Sequence, residues 1–119
     1  MTPSRLKEIE QAQLANGRQF EKLDQKKRRL ATFEQDLGLL YSDLTQPLER
    51  LQVQASSYQE IVELESLLLS WKKVEERLAD TFLEAEGRLK KEERTLEEQA
   101  DQLARAKKAY YDEEENHGN

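Results

Sequence analysis

Apolar residues recur at helical spacing along the second half of the chain. They step by threes, fours or sevens, which places them on one face of a helix. This face consists of Val74, Leu78, Phe82, Ala85, Leu89, Leu96 and Leu103. The pattern predicts a long amphipathic helix whose apolar face needs a partner. The first half of the chain continues one face in the same way, through Leu6, Ile9, Leu14, Phe20, Leu23, Leu30, Phe33, Leu37, Leu40 and Leu44.

Two stretches of the sequence are able to reverse the chain between these helices. One is 38–47, where a new helix could begin near the proline. The other is Ala55-Ser56-Ser57, because Ser57 has Glu60 three residues on and so fits a capping box. A reversal near 55–58 gives two arms of similar length. We therefore predict an all-α fold, a long antiparallel helical hairpin with two main helices, forming a single domain over residues 1–119.

Pairing the two arms about this turn brings large apolar side chains together. The expected neighbours are Phe33 with Phe82, Leu37 with Leu78, and Leu44 with Trp71. The basic run 26–29 then faces the region of Glu84 and Glu86. Asn16 falls on the seam between the arms, where a polar residue commonly sets the register. Thr2 before a proline predicts the cap that starts the first helix.

The stretch 61–71 carries more apolar side chains than one partner helix can cover. They point in nearly every direction around the helix axis, and a hairpin offers only one neighbouring arm. We take this surplus as the main indication of function, because exposed apolar patches usually mark interfaces. The predicted partner-binding residues are Leu64, Leu67, Leu68 and Trp71.

Composition narrows the class of protein. Charged residues make up 37% of the 119-residue chain, and it has 4 Gly, 2 Pro and 0 Cys, which is typical of long helices. The net charge of −6 argues against nucleic-acid binding.

Residues 112–119 predict an acidic tail that frays, because carboxylates oppose the helix dipole there. No stretch offers the roughly 20 apolar residues that cross a bilayer. We expect no membrane insertion, and a protein that is cytoplasmic or exported without a cleaved signal peptide.

No motif in the sequence points to catalysis. The single histidine, His117, lies in the polar tail, and the glutamates occur as surface pairs on helices. The sequence has no phosphate-binding glycine loop, no nucleophile context and no zinc-ligand spacing. We therefore expect a non-enzymatic protein with no cofactor, no catalytic residue and no metal ligand.

Two tyrosines near the end of the sequence each have a glutamate four residues on. Tyr110 shares a helix face with Glu114, and Tyr111 shares one with Glu115. A helical hairpin of this size that ends in Tyr-x-x-x-Asp/Glu resembles the small substrates and accessory proteins of bacterial type VII (ESX-like) secretion. In that family the motif implies a secretion signal that the export ATPase recognises. The resemblance implies this role for these four residues.

The chain departs from the Trp-x-Gly group of that family. Trp71 is followed by Lys72-Lys73 and falls inside an arm instead of in the turn. The chain is more similar to the small α-helical partners of LXG-type toxins, which lack a strict Trp-x-Gly. This resemblance implies a targeting factor or chaperone that binds the helical N-terminal domain of a toxin, a second small helical protein, or both.

Two other interpretations stay open. The chain also resembles the coiled-coil stalks and chaperones of type III and flagellar export, which are long, charged, two-helix proteins. A spectrin-like repeat or a self-associating coiled coil would instead bury the apolar surplus within one molecule or in a homodimer. A three-helix repeat needs a second turn, and the sequence offers no convincing one between Trp71 and Ala85.

Overall fold

The computed structural model describes the backbone of residues 3–118 and the side chains of residues 4–116. Two helices make up nearly all of this part of the chain, α1 at Pro3–Gln54 and α2 at Tyr58–Gly118. They form an all-α antiparallel helical hairpin. The fold class and the position of the reversal are as the sequence predicts.

Side-chain caps fix the reversal. The backbone N–H of Glu60 donates to Ser57 Oγ at 3.2 Å, and the backbone N–H of Ser56 donates to Glu60 Oε2 at 3.2 Å. This reciprocal pair has the logic of a capping box, and such a cap contributes about 1 kcal/mol. Pro47 lies inside α1, so the helix continues through the alternative reversal site. The predicted cap at Thr2 lies outside the described residues.

Each helix contributes two rows of residues to the seam, and each row repeats every seven residues. The rows of α1 are Leu6, Gln13, Phe20, Lys27, Glu34, Tyr41 and Leu48, and Ile9, Asn16, Leu23, Leu30, Leu37, Leu44 and Leu51. The rows of α2 are Ile61, Leu68, Glu75, Phe82, Leu89, Leu96, Leu103 and Tyr110, and Leu64, Trp71, Leu78, Ala85, Glu92, Gln99 and Ala106. The alternating steps of three and four residues are those of a coiled coil.

Aromatic contacts fix the register near the turn. The rings of Phe33 and Phe82 pack edge to face with centroids 5.8 Å apart, which confirms that predicted pair. Trp71 packs edge to face against Tyr41 with ring centroids 5.9 Å apart, a contact that the sequence does not predict. Leu44, the neighbour predicted for Trp71, is 40% exposed at this level of the hairpin. The tyrosine belongs to the other seam row of α1.

The described residues divide into two compact units. The first unit joins the chain up to Lys27 to the chain from Gly87 onward, and the second unit is Arg28–Glu86. Every buried side chain among residues 4–116 belongs to the first unit: Ile9, Asn16, Leu23, Leu96 and Tyr110. All side chains of the second unit are described, and its seam residues are at most half-buried. The well-packed core is therefore confined to the first unit.

Asn16 is the one polar residue in this core among the described side chains. It is 9% exposed, and its Nδ2 donates to the backbone oxygen of Leu96 at 3.1 Å and to Gln99 Oε1 at 3.5 Å. A buried amide is costly without partners. A register that moved these acceptors away would leave the amide unpaired, so the contact favours the observed alignment of the two arms.

The ion pairs of the basic run differ from the prediction. Lys26 Nζ lies 3.1 Å from Glu92 Oε1, and Lys27 Nζ lies 2.6 Å from Glu93 Oε2. The hydrogen bond to Glu93 raises the pKa of Lys27. Side chains on a helix lean toward its N-terminus. The lysines of α1 therefore reach acids further along the antiparallel α2 than the predicted region of 84–86.

The acidic tail continues the second helix. The backbone of 112–118 is helical, because α2 continues to Gly118. Tyr110, which is buried in the first unit, anchors the start of the acidic run, four residues before Glu114. The unfavourable interaction of exposed carboxylates with the helix dipole is only about 0.3–1 kcal/mol, which is too small to end a helix held in this way. The side chain of His117 lies outside the described residues.

Candidate partner-binding surface

The four residues predicted to bind a partner divide into two groups. Leu64, Leu68 and Trp71 belong to the seam rows of α2 and are half-buried. Leu67 lies beside the seam and is 44% exposed. None of the four is fully buried within the chain. All four are thus at least partly accessible, and Leu67 is the most accessible of them.

An exposed apolar stripe runs along both helices of the second unit. Its α2 part is Leu64, Leu67, Trp71, Val74 and Leu78, and its α1 part is Phe33, Leu37, Leu40, Leu44, Pro47 and Leu51. The exposed fractions reach 56% at Phe33, 54% at Leu40 and 51% at Leu51. Both parts alternate steps of three and four residues, so each helix has a second face of the coiled-coil type beside the seam. We call these residues the apolar stripe.

The two parts of the apolar stripe lie on the same side of the hairpin. In an antiparallel pair, the row that flanks the seam of one helix lies beside the equivalent row of the other helix. Leu40 comes directly before the seam residue Tyr41, and Leu67 comes directly before Leu68, so they belong to equivalent rows. Their side of the second unit is therefore apolar along both helices.

The opposite side of the second unit carries a shallow groove. Its lining combines apolar side chains with polar ones, which are Glu34, Ser42, Thr45, Glu49, Gln52, Lys72 and Glu75. Charged side chains line this groove and are absent from the apolar stripe, so we call this side of the second unit its polar side. This asymmetry is what a helical pair has when further helices cover one of its sides.

Two carboxyl groups meet on the polar side. Burial, followed by a hydrogen bond to Glu86 and the charge of Glu86, raises the pKa of Glu34. Burial, followed by the charges of Glu75 and Glu76, likewise raises the pKa of Tyr41. The contact between the two carboxyl groups is best made with one of them protonated, because two carboxylates repel each other. The contact therefore weakens as the pH rises through the raised pKa of Glu34.

Replacing Glu34 with glutamine is expected to raise the melting temperature near pH 7. The folded pKa of Glu34 lies above its ordinary value of 4.5, so the stability of the native protein falls as the pH rises from there through the raised pKa. Glu34→Gln keeps a donor for Glu86 and removes the repulsion. Thermal unfolding followed by circular dichroism across this pH range should show a flatter profile for the variant. Glu49→Gln on the same side is the control, and equal profiles for native and Glu34→Gln proteins would contradict the assignment.

The structure separates the two tyrosines of the predicted signal. Tyr110 is 7% exposed and Tyr111 is 47% exposed. Burial, followed by the negative charge of Glu114, raises the pKa of Tyr110. Glu114 and Glu115 are both exposed. Tyr111 with Glu115 is therefore an accessible pair, whereas Tyr110 is part of the packing of the first unit.

The α1 part of the apolar stripe is the feature that the sequence pattern does not resolve. The pattern assigns Phe33, Leu40 and Leu44 to the same face as Leu37, whereas all three are exposed. Their alternating steps of four and three residues carry the signal for a second face. Two overlapping faces on one helix give a broad apolar arc, and the sequence does not say which edge of that arc meets the other arm.

Comparison with known proteins finds no match: no family model, no curated protein and no solved structure matches the chain. Within residues 3–118, neither helix contains a stretch that is long and apolar enough to cross a membrane. The same part of the chain holds no group of three or more His, Cys, Asp or Glu side chains placed to bind a metal ion.

Proposed function

We propose that this protein is a non-enzymatic adaptor that binds other helices through the apolar stripe of its second unit. One observation carries the proposal: every buried side chain among the described residues belongs to the first unit, whereas the second unit leaves large apolar side chains exposed along both helices. A contiguous exposed apolar surface on a helical pair is a typical docking site for an amphipathic helix. The first unit then serves as the stable part that holds the two binding helices together.

The partner that best fits this surface is the helical N-terminal domain of a type VII secreted toxin, with the protein acting as its targeting factor or chaperone. A helical domain supplies apolar faces at matching spacing, and the stripe offers Trp71 as a half-buried aromatic anchor. The accessible pair of Tyr111 and Glu115 supports recognition by an export ATPase. In this proposal the protein is made in the cytoplasm and needs no cleaved signal peptide for export.

Binding of a toxin N-terminal domain tests the proposal through a matched pair of variants. Leu67→Asp places a charge on the stripe, and Leu69→Asp places one at a similarly exposed leucine outside it, since the two are 44% and 60% exposed. We expect Leu67→Asp to weaken binding by more than about tenfold and Leu69→Asp to leave it within about twofold, because affinity concentrates in the desolvated centre of an interface. Isothermal titration calorimetry measures both.

Two results would contradict this role. One is equal affinity of Leu67→Asp and Leu69→Asp for the toxin domain, with both variants folded by circular dichroism. The other is the absence of any binding by the native protein. Leu68→Asp is a less suitable test, because Leu68 is a seam residue and its replacement would also disturb the hairpin.

The tail separates the type VII role from that of a stalk or chaperone in type III or flagellar export. Only the type VII role requires Tyr111 and Glu115. Tyr111→Ala with Glu115→Ala should therefore abolish toxin export and leave folding and toxin binding intact. Export at the native level in this double variant would favour the alternative export system.

A further inference from the structure

We propose that a second copy of this chain covers the apolar stripe, and that the two hairpins lie side by side with their turns at the same end. The second units of the two copies then form a four-helix bundle. The inference is independent of the toxin-binding role, since it concerns the purified protein. It follows from the charges that border the stripe.

Charged residues border the apolar stripe along both outer edges, again at intervals of seven residues. On α1 the row is Arg29, Asp36, Asp43 and Arg50, and on α2 it is Glu63, Ser70, Arg77 and Glu84, in which Ser70 alone is uncharged. All eight are exposed. The α1 row contains two basic and two acidic residues. The α2 row contains two acidic residues, one basic residue and one serine. Such flanking rows set partner choice and orientation in coiled coils.

A two-fold axis parallel to the helices brings these rows together. It sets α1 of one copy beside α2 of the second copy, antiparallel and at the same levels as within one hairpin. Those levels are fixed by the contacts of Phe33 with Phe82 and of Tyr41 with Trp71. In an antiparallel pair, flanking rows of the same type face each other, so the outer edge of α1 meets the outer edge of the second copy's α2.

The facing residues then have opposite charges at three of the four levels, and at the fourth level an aspartate faces a serine. Arg29 faces Glu84, Asp36 faces Arg77, Asp43 faces Ser70, and Arg50 faces Glu63. Because of the symmetry, each facing pair occurs twice in the dimer. No two like charges meet. Both edges are defined only by their position beside the stripe.

The other two-fold arrangement fits less well. An axis perpendicular to the helices stacks α1 on α1 and α2 on α2. In this arrangement, the register that pairs Asp36 with Arg50 and Glu63 with Arg77 also places Asp43 directly against Asp43 of the second copy. The parallel arrangement has no contact between like charges at these edges.

A toxin domain that binds the apolar stripe must replace the second copy. The dimer is then the form in which the free protein keeps the stripe from water, and partner binding is an exchange of one hairpin for the helices of the partner. A protein that is monomeric and still binds a toxin domain would overturn the dimer and leave the proposed function standing. A dimer that binds no toxin domain would do the reverse.

A charge exchange between Asp36 and Arg77 tests the arrangement. Within one hairpin these residues lie on opposite outer edges of the stripe, so only a second copy brings them together. We expect Asp36→Arg and Arg77→Asp each to raise the dissociation constant of the dimer by about fivefold to tenfold, because each variant creates two like-charged contacts. The double variant should return within about twofold of the native value. Sedimentation equilibrium measures all four proteins, and circular dichroism confirms that each is helical.

Cross-linking tests the orientation of the two copies. The chain has 0 cysteines, so a single introduced cysteine is unique. Ser56→Cys at the turn should form a covalent dimer with a short bismaleimide, whereas Ser42→Cys on the polar side should not. A native protein that stays monomeric at several hundred micromolar overturns the proposal. So does a double charge variant that remains as weak as either single variant, or a Ser56→Cys protein that fails to cross-link.

Discussion

Replacing Leu23 with alanine is expected to destabilise the protein by about 3 kcal/mol, the largest effect of any single substitution in the seam. Leu23 is 1% exposed and is the most completely buried large side chain among the described residues. Truncation removes apolar contacts and leaves a cavity between two stiff helices that cannot close around it. Urea unfolding followed by circular dichroism measures the change in the free energy of unfolding.

Leu14→Ala is the matched control for Leu23→Ala. The two leucines lie on the same helix and in the same unit, but Leu14 is 63% exposed. Its replacement should change stability by no more than about 0.5 kcal/mol, the range typical of surface positions. Similar losses for Leu14→Ala and Leu23→Ala would mean that the first unit is not the packed part of the molecule.

Replacing Tyr110 and Tyr111 with alanine should produce two different defects. Tyr110→Ala is expected to cost about 2–3 kcal/mol, because the ring is 7% exposed and packs in the first unit. Tyr111→Ala is expected to cost less than about 0.5 kcal/mol, because this ring is 47% exposed. In the proposed function, Tyr111→Ala nevertheless abolishes export. Thermal unfolding and an export assay on the same pair of variants measure both effects.

The controls for this pair are built into it, since the two tyrosines are adjacent and identical in chemistry. A stable Tyr110→Ala protein with normal thermal unfolding would contradict the packing of the tail. Normal export of Tyr111→Ala would instead contradict the assignment of Tyr111 as part of the signal. The two outcomes are independent, because one concerns folding and the other recognition.

The long-range geometry of the hairpin is largely predictable from the sequence. The position of the turn follows from local chemistry, because Ser57 and Glu60 satisfy the backbone donors at the start of α2. The pairing of Phe33 with Phe82 follows once the turn is fixed, because an antiparallel pair has a single register for a given turn. Both inferences need only spacing and capping rules.

The sequence does not determine which side chains contact each other across the seam. Lys26 and Lys27 pair with Glu92 and Glu93 because helical side chains lean toward the N-terminus, a displacement that a residue-by-residue alignment ignores. The contact of Tyr41 with Trp71 is likewise not predicted, since Tyr41 and Leu44 occupy different seam rows one turn apart. These contacts depend on how each helix is rotated about its own axis, and the apolar pattern fixes that rotation only to within one seam row.

The sequence predicts that an uncovered apolar surface exists, and it predicts part of the position of that surface. The surplus of apolar residues in 61–71 correctly indicates a surface that one arm does not cover, and Leu67 is exposed as that argument requires. The α1 half of the surface, with Phe33, Leu40 and Leu51, emerges only from the structure. An apolar residue in a broad arc is compatible with either the seam or its flank, so periodicity alone does not divide them.

The two units of the molecule therefore differ in their physical role. The first unit is held by the buried leucine core, by the amide contact of Asn16 and by ion pairs across the seam. The second unit keeps apolar side chains exposed, a state that costs stability in water and is relieved when other helices cover them. The central claim is that the second unit is the binding part of the protein.

Hydrogen exchange measured by mass spectrometry tests this claim most directly. The native protein is compared at high dilution and after addition of a toxin N-terminal domain. We predict that amides of residues 28–86 exchange faster than those of the first unit at high dilution, and that partner binding slows exchange chiefly in 28–86. Uniform protection along both helices that does not change on binding would contradict the account.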